Sequence, residues 1–483
     1  MFELVRDSIL SIVVRLAPRF ANVLLFILIG RLTGPAEAGV FTLAITYLVI
    51  STTIARGLDD LVIRQVSREP DRASRYLTNF LILRLGLSLL SYCILLFVVL
   101  VVFDYDQSTA ISILTLVLSL VPDSLTYVAQ AILLGQRCFG MPAIILAGVS
   151  LFKLVGGGLV LINGGGLQQV AWVWVIASLL GMVALLIVAV KRLGGIQRAD
   201  WFDWLPLARN WRTVLSFLLI TTLMTLEGQL DVVLLSALRD EVEVGWYGAA
   251  TTVVASLVIL SQGYRLAVYP LMTRYALYSP EKLSGLYKRS IRYLGALVLP
   301  MVAGVALLSP KIVSLVFGPE FQPTARVLEI SILALVFMFL NVPNSRMMLV
   351  HDRQSWSSLF LLVSVSANAL LNLALDPAWG ATGAAVARLC SSALLFLLNY
   401  LHVARFLVRS SPIQLLSRSA LATLVMGTVI WLVRTWPLPV SIGVGIATYA
   451  GMLWLVGGIL PNDAALMHQT IAGWRNRAAS TRR

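Results

Sequence analysis

Arg15, Arg19 and Asn22 recur at i, i+4 and i+7, which puts two guanidiniums and an amide on one face of a helix. The segment that carries them is otherwise apolar. A charge at a bilayer centre costs roughly 3 kcal/mol or more, so such a cation must face a bundle interior or a wet cavity. Arg56, Arg84, Lys153, Arg265, Arg346 and Arg388 fall within, or at the ends of, other apolar segments. Against them stand few acids, chiefly Glu227 and Asp231, again spaced i, i+4. An excess of buried positive charge predicts an anionic substrate group, because arginine meets phosphate oxygens bidentately. Snorkelling to the inner interface accounts for Arg56 and Arg346 and could extend to Arg84. Arg19, Lys153 and Arg388 sit deeper. Together with Arg15, Asn22, Arg84 and Arg265 they form the expected cavity lining for a diphosphate. Glu227 and Asp231 have two readings, as partners of cavity arginines or as the binding site of a coupling proton or cation. Asn341, Asn344, Asn368, Asn372 and Asn399 read first as interhelical hydrogen-bond partners, with sugar hydroxyls as the other reading.

Catalytic patterns are nearly absent. No glycine-rich loop is followed by Lys-Ser/Thr, so no nucleotide site can be argued. Gly156-Gly157-Gly158 and Gly164-Gly165-Gly166 bracket a helix end and suit an outer turn better than a nucleotide loop. Asp104-Tyr105-Asp106 has the acid-x-acid form used by metal-dependent sugar transferases, but its loop is too small to hold a donor. Cys93, Cys138 and Cys390 are far apart, as are His351, His402 and His468, so neither a disulfide framework nor a metal-ligand spacing can be drawn. The expectation is a protein that is not an enzyme, with no metal and no cofactor.

The elements that must position these side chains follow from composition. Of 483 residues, 59% are hydrophobic and 12% charged, too few charges to cover a soluble core of this length. Fourteen segments are long and apolar enough to span a bilayer, near 8–30, 38–57, 78–103, 109–134, 141–162, 169–190, 213–237, 245–270, 291–316, 326–349, 355–375, 381–404, 419–435 and 439–460. The expected class is therefore an all-α polytopic membrane protein. The net charge of +14 could suggest a nucleic-acid partner, but position argues otherwise. Arg64, Arg68, Arg72 and Arg75, then Lys191, Arg192 and Arg198, then Arg274, Lys282, Lys288 and Arg289 fall on one set of loops. Asp104, Asp106, Asp240, Glu241, Glu243 and Glu320 fall on the other. That alternation is topology, with both termini on the cytoplasmic side, and implies no nucleic acid. The first segment reads as a retained helix, with no cleavage site.

An internal repeat sets the domain plan. Ala38-Gly39-Val40-Phe41-Thr42-Leu43-Ala44 parallels Val244-Gly245-Trp246-Tyr247-Gly248-Ala249-Ala250 at an offset of 206 (245 − 39). The same offset pairs Thr46 with Thr252, Gly57 with Gly263 and Arg68 with Arg274. Six spans per copy give both copies the same orientation, an arrangement of transporters with the substrate between the halves. The expected domains are a six-helix lobe at 1–195, a cytoplasmic linker at 196–212, a second six-helix lobe at 213–407, two further spanning helices at 408–460 and a basic tail at 461–483.

Leu32-Thr33-Gly34-Pro35-Ala36-Glu37-Ala38-Gly39-Val40-Phe41 resembles the first outer turn of bacterial polysaccharide (O-antigen and exopolysaccharide) flippases. Gly57 followed by Arg64, Phe317-Gly318-Pro319-Glu320-Phe321 and Gly380-Ala381-Thr382-Gly383-Ala384-Ala385 are similar to later patterns of that family, in the same order along nearly the whole chain. The family lies in the multidrug/oligosaccharidyl-lipid/polysaccharide exporter superfamily. The resemblance implies two pseudo-symmetric six-helix lobes around a central cavity, two extra helices, and a place in the bacterial inner membrane. It also implies alternating access that moves a polyprenyl-diphosphate-linked oligosaccharide from the inner to the outer leaflet. A polysaccharide polymerase and chain-length proteins are the candidate protein partners. Competing expectations are a lipid II flippase, a polysaccharide polymerase or ligase, and a cation-coupled drug antiporter. The polymerase would need a sizeable outer loop, and cationic drugs would be repelled by a cationic cavity.

Overall fold

A computed structural model describes residues 2–56, 59–103, 105–195 and 211–457. Gly57, Asp104, nearly all of the expected linker 196–212 and the tail 461–483 lie outside the described residues. Fifteen α-helices run in order among the described residues: α1 Phe2–Arg56, α2 Asp59–Arg68, α3 Ala73–Phe97, α4 Gln107–Val117, α5 Leu120–Gly135, α6 Gly140–Ile162, α7 Leu167–Arg192, α8 Trp211–Leu238, α9 Glu241–Tyr278, α10 Pro280–Val316, α11 Thr324–Val350, α12 Gln354–Trp379, α13 Ala381–Phe406, α14 Pro412–Leu432 and α15 Leu438–Leu455. No strand occurs among them. Hydrocarbon offers no partner for a backbone N–H, and a helix satisfies its own.

Twelve of the helical stretches are long and apolar enough to cross a membrane. The expected segments fall largely in helices, although 109–134 is divided between α4 and α5 and 439–460 runs past the end of α15. The first two share α1, where Gly34 (φ 88°, ψ 179°) breaks the helix ahead of Pro35, and the segment at 213–237 is α8. Proline forces the preceding residue to be extended, and a positive φ there admits only glycine. The same device recurs at Gly318 (φ 97°, ψ 179°), ahead of Pro319. Gly156-Gly157-Gly158 corrects the sequence reading. These glycines lie inside α6, where Gly157 admits Leu25 and Gly156 admits Val173. Only Gly164-Gly165-Gly166 forms the turn, with Gly164 at φ +81°.

The chain divides into two compact units. The first comprises Met1–Ser256, Val313–Val327 and Ser358–Ser391. Its core includes Val66, Leu77, Phe80, Ile132 and Leu185, all essentially inaccessible. Large apolar side chains on α3, α6 and α7, such as Ile94, Leu151 and Leu180, are exposed, as a lipid-facing surface requires.

This unit contains the meeting of the two repeat copies. A Cβ at Gly39 would strike the Glu241 carbonyl, and one at Gly245 would strike the Pro35 carbonyl. The two contacts are one contact seen twice, since 39 and 245, like 35 and 241, differ by 206. Gly248 meets Thr42, again 206 apart, so this pair lies on the local two-fold axis. Small residues let the helices cross at backbone distance. The repeat extends to the caps. Glu37 Oε2 accepts the Leu167 N–H at 3.0 Å, at the start of α7. Glu243 Oε2, its counterpart at the same offset, accepts the Ala381 N–H at 2.6 Å, at the start of α13. A carboxylate at a helix N-terminus satisfies an otherwise orphan donor and the positive end of the dipole.

The second unit comprises Leu257–Ile312, Leu328–Ser357 and Ser392–Arg483. Within it α14 and α15 pack on α10 through Leu308, Met426 and Ile430. Tyr449 Oη donates to the Ala296 carbonyl at 2.6 Å, and Lys311 donates to the Trp436 carbonyl.

Candidate functional site

The densest buried polar cluster of the first unit centres on Arg388 of α13. Its Nε and Nη2 both lie 2.6 Å from Asp231 Oδ2 on α8. Its Nη1 donates to the Glu227 carbonyl and stands 3.8 Å from Glu227 Oε1. Asp231 is wholly inaccessible and Arg388 is 14% exposed. Tyr247 of α9 donates its hydroxyl to the same Oδ2, and Asn372 Nδ2 of α12 donates to Oδ1 at 3.3 Å. Asn372 also donates to the Asn368 carbonyl at 2.7 Å, and Asn368 donates to Ser391 Oγ at 3.2 Å. Four helices therefore converge on one carboxylate. A buried pair with this many hydrogen bonds holds well, and removal of one partner strands a charge at a cost of about 3–5 kcal/mol.

One turn further along α12, Asp376 is fully buried, and neither of its carboxyl oxygens has a hydrogen-bond partner. Arg239, at the end of α8, spends its guanidinium on backbone. It donates to the Asp376 carbonyl at 3.0 Å and the Pro377 carbonyl at 2.7 Å.

The other expected cavity cations have surroundings of their own. Arg84 is 1% exposed and donates from Nη2 to Asp59 on α2. Lys153 lies 4.0 Å from Asp123 Oδ1 and 4.2 Å above the Trp174 ring, so an acid and an aromatic face share its charge. Arg19 is exposed and Asn22 half-buried on α1. The Arg15 backbone is helical, but its side chain lies outside the described residues. Arg265 of α9 is exposed. Arg346 of α11 stands 5.3 Å over the Tyr269 ring.

Sequence reasoning missed three acids of this set. Asp59 and Asp123 are the partners of Arg84 and Lys153, and Asp376 lies just past the expected end of its span. Asp123 was detectable as an acid inside an apolar segment. The amides divide. Asn344 accepts from Tyr287 at 2.7 Å and Asn372 binds Asp231, both between helices, whereas Asn399 Nδ2 bonds its own helix at Leu395. Tyr105 of the acid-x-acid loop meets the Tyr47 hydroxyl at 2.9 Å and the Ser236 hydroxyl at 2.8 Å. Asp106 accepts from the Ser108 N–H and hydroxyl, which holds its carboxyl below the usual carboxylate range. Both described members of that loop are therefore engaged in structure.

The profile of a family described as "Polysaccharide biosynthesis protein" matches residues 28–326, more than half of the chain. The chain belongs to this polysaccharide biosynthesis family. A relative from Haloferax volcanii, "Probable low-salt glycan biosynthesis flippase Agl15", is 23% identical over 413 residues, 84% of each protein. Among solved structures, "Lipid II flippase MurJ, inward closed conformation" aligns with a TM-score of 0.75 at 16% identity, covering 94% of this chain and 99% of that one. An inward-facing multidrug resistance transporter of the MATE family aligns at 0.66 and 15% identity, covering 82% and 98%. The fold of this polysaccharide biosynthesis protein is thus the all-helical MurJ/MATE fold, and the chain is a multi-pass integral membrane protein.

Proposed function

We propose that this protein is a flippase that carries a polyprenyl-diphosphate-linked oligosaccharide repeat unit from the inner to the outer leaflet by alternating access. The observation that carries the reading is the reciprocal crossing at Gly39, Gly245 and Thr42–Gly248. A polysaccharide biosynthesis protein is built from two parallel copies of one helical unit, and parallel repeats of this kind are a transporter plan. On this reading the copies correspond to lobes at 1–195 and 213–407, joined by a cytoplasmic linker at 196–212. Helices at 408–460 and a basic cytoplasmic tail at 461–483 follow. Both termini are cytoplasmic and the membrane is the bacterial inner membrane. The diphosphate meets arginines while the polyprenyl chain stays in lipid. Arg15, Arg19, Asn22 and Arg265 remain the proposed lining, and no ion pair joins Arg265 to an acid among the described residues. Glu227 and Asp231 serve Arg388 first. A role in coupling a proton or cation would have to pass through that pair. A polysaccharide polymerase and chain-length proteins are the proposed partners downstream. The likeness to the lipid II flippase supports a second reading, in which the glycan is that of lipid II.

A strain lacking the protein, fed radiolabelled sugar, tests the function. Loss of surface polysaccharide with lipid-linked repeat units held on the inner leaflet is the expected result. Unchanged polysaccharide would favour lipid II, and units already on the outer leaflet would indicate a polymerase.

A further inference from the structure

We infer that Tyr105, between the third and fourth spans of the first copy, is a latch that holds the outer side of the proposed transporter shut against the second copy. The inference rests on the proposed flippase reading and gives a role to a residue which that reading leaves unused. The Tyr105 hydroxyl lies 2.9 Å from that of Tyr47 on α1 and 2.8 Å from that of Ser236 on α8. All three residues are in the first unit. Tyr47 belongs to the first copy and Ser236 to the second, so Tyr105 carries a chain of hydroxyls from one copy to the other.

Each hydroxyl has one proton, and that fixes the direction of the chain. Ser236 donates its proton to the Val233 carbonyl at 2.8 Å, within its own helix. It therefore accepts from Tyr105, and Tyr105 accepts from Tyr47. Donor and acceptor alternate along the whole chain, so each bond polarises the next. Tyr47 and Ser236 are buried and Tyr105 is half-buried, which puts the central hydroxyl within reach of water when the copies part.

The repeat supplies a counterpart of opposite character. Ser236 and Gly30 hold the same register (236 − 30 = 206). Phe321, between the third and fourth spans of the second copy, lies against Gly30, where an added Cβ would stand 2.9 Å from its ring. Each copy thus sets an aromatic residue of the same loop on the end of the other copy's first span. The two halves differ in what holds them. Phe321 is inaccessible and packs on Phe317, whose ring meets Phe26 of the first copy edge-on at 5.9 Å. Arg31 adds bonds from the first copy to the Leu315 and Val316 carbonyls of α10. The counterpart of Arg31, next to Ser236, is Ala237 (237 − 31 = 206), whose side chain can make no such bond.

Parting the Phe321 half would expose apolar rings to water. Parting the Tyr105 half exchanges hydrogen bonds within the protein for hydrogen bonds to water, and the net loss is small. The Tyr105 half is therefore the one that releases. A reporter lies beside it. Thr46, one residue before Tyr47, donates to Gln229 Oε1 of α8 at 3.0 Å and is buried. Its side chain stands between the copies and is uncovered as they separate.

The test uses full-length protein in spheroplasts, with Cys93, Cys138 and Cys390 replaced by serine and Thr46→Cys as the reporter thiol. The rate at which an impermeant maleimide labels it from outside follows the population of the outward-open state. Tyr105→Phe keeps the ring and loses both bonds, and is expected to quicken labelling about tenfold. Ser236→Ala loses one bond and is expected to quicken it about threefold, which keeps the test alive if the Tyr105 variant folds poorly. Both variants should keep the monodisperse size-exclusion peak. Labelling at the reference rate in both would overturn the latch, as would a gain seen only together with loss of that peak. Quicker labelling in Tyr105→Phe, beside wild-type proteoliposomes that move no lipid-linked oligosaccharide, would sink the flippase reading and support the latch.

Discussion

Asp59 and Arg265 hold the same register in the two copies of the repeat, and they carry opposite charges. Around Asp59 the first copy is electrically closed, with Arg84 1% exposed and hydrogen-bonded to the carboxylate. Around Arg265 no such ion pair stands among the described residues, and Arg346 is stacked on Tyr269. Duplication supplied the same helical frame twice, as the reciprocal contacts of Gly39 and Gly245 show. A buried cation is therefore poor evidence for a binding site until its acids have been found. Arg388 makes the point again, being deep, basic and fully engaged by Asp231 and Glu227.

The comparison can be broken from the closed side first, where the largest effect is expected. Asp231→Asn strands Arg388 and should cost about 3–5 kcal/mol, seen as loss of the monodisperse peak on size exclusion of a fluorescently tagged protein. Arg388→Gln added to Asp231→Asn should recover most of that peak. If the single variant runs like wild type, the closed cluster does not hold the fold. Asp59→Asn should act in the same way on Arg84 but less, about 1–3 kcal/mol, because Asp59 is partly exposed.

The open side behaves differently. Arg265→Asp gives Arg346 an acid, as Asp59 gives Arg84 one. Thermal stability should hold or rise while transport falls at least tenfold; a variant that transports normally would remove the distinction between the copies. The smallest effects belong to the caps. Glu37→Gln and Glu243→Gln should each cost about 1 kcal/mol of thermal stability, and by equal amounts if the two copies contribute alike. Unequal losses would show where the symmetry stops.

Much of the frame is legible in the chain. Most of the apolar segments and the 206-residue offset reappear as helices and reciprocal contacts, because lipid leaves the backbone no other choice. Glu227, Asp231 and Arg388 were each detectable as charges in apolar surroundings. Their meeting was not, since it depends on how α8 and α13 pack. Asp59 and Asp123 escaped for the same reason. Each is separated from its cation by at least 25 residues, and nothing local marks the pairing. Arg346 looked like an interfacial arginine because its depth is interfacial. Only the ring beneath it and the missing acid set it apart. The caps at Leu167 and Ala381 were invisible, although Glu37 and Glu243 stand at equivalent places in the repeat.

The most direct measurement uses proteoliposomes that hold the purified protein and a fluorescent polyprenyl-diphosphate-linked oligosaccharide. A membrane-impermeant glycosidase added outside cleaves only sugars in the outer leaflet. The account predicts that cleavage proceeds past the outer-leaflet fraction to near completion with wild-type protein, and stops at that fraction in liposomes without it. Cleavage that stops at the outer-leaflet fraction with well-folded wild-type protein would contradict it.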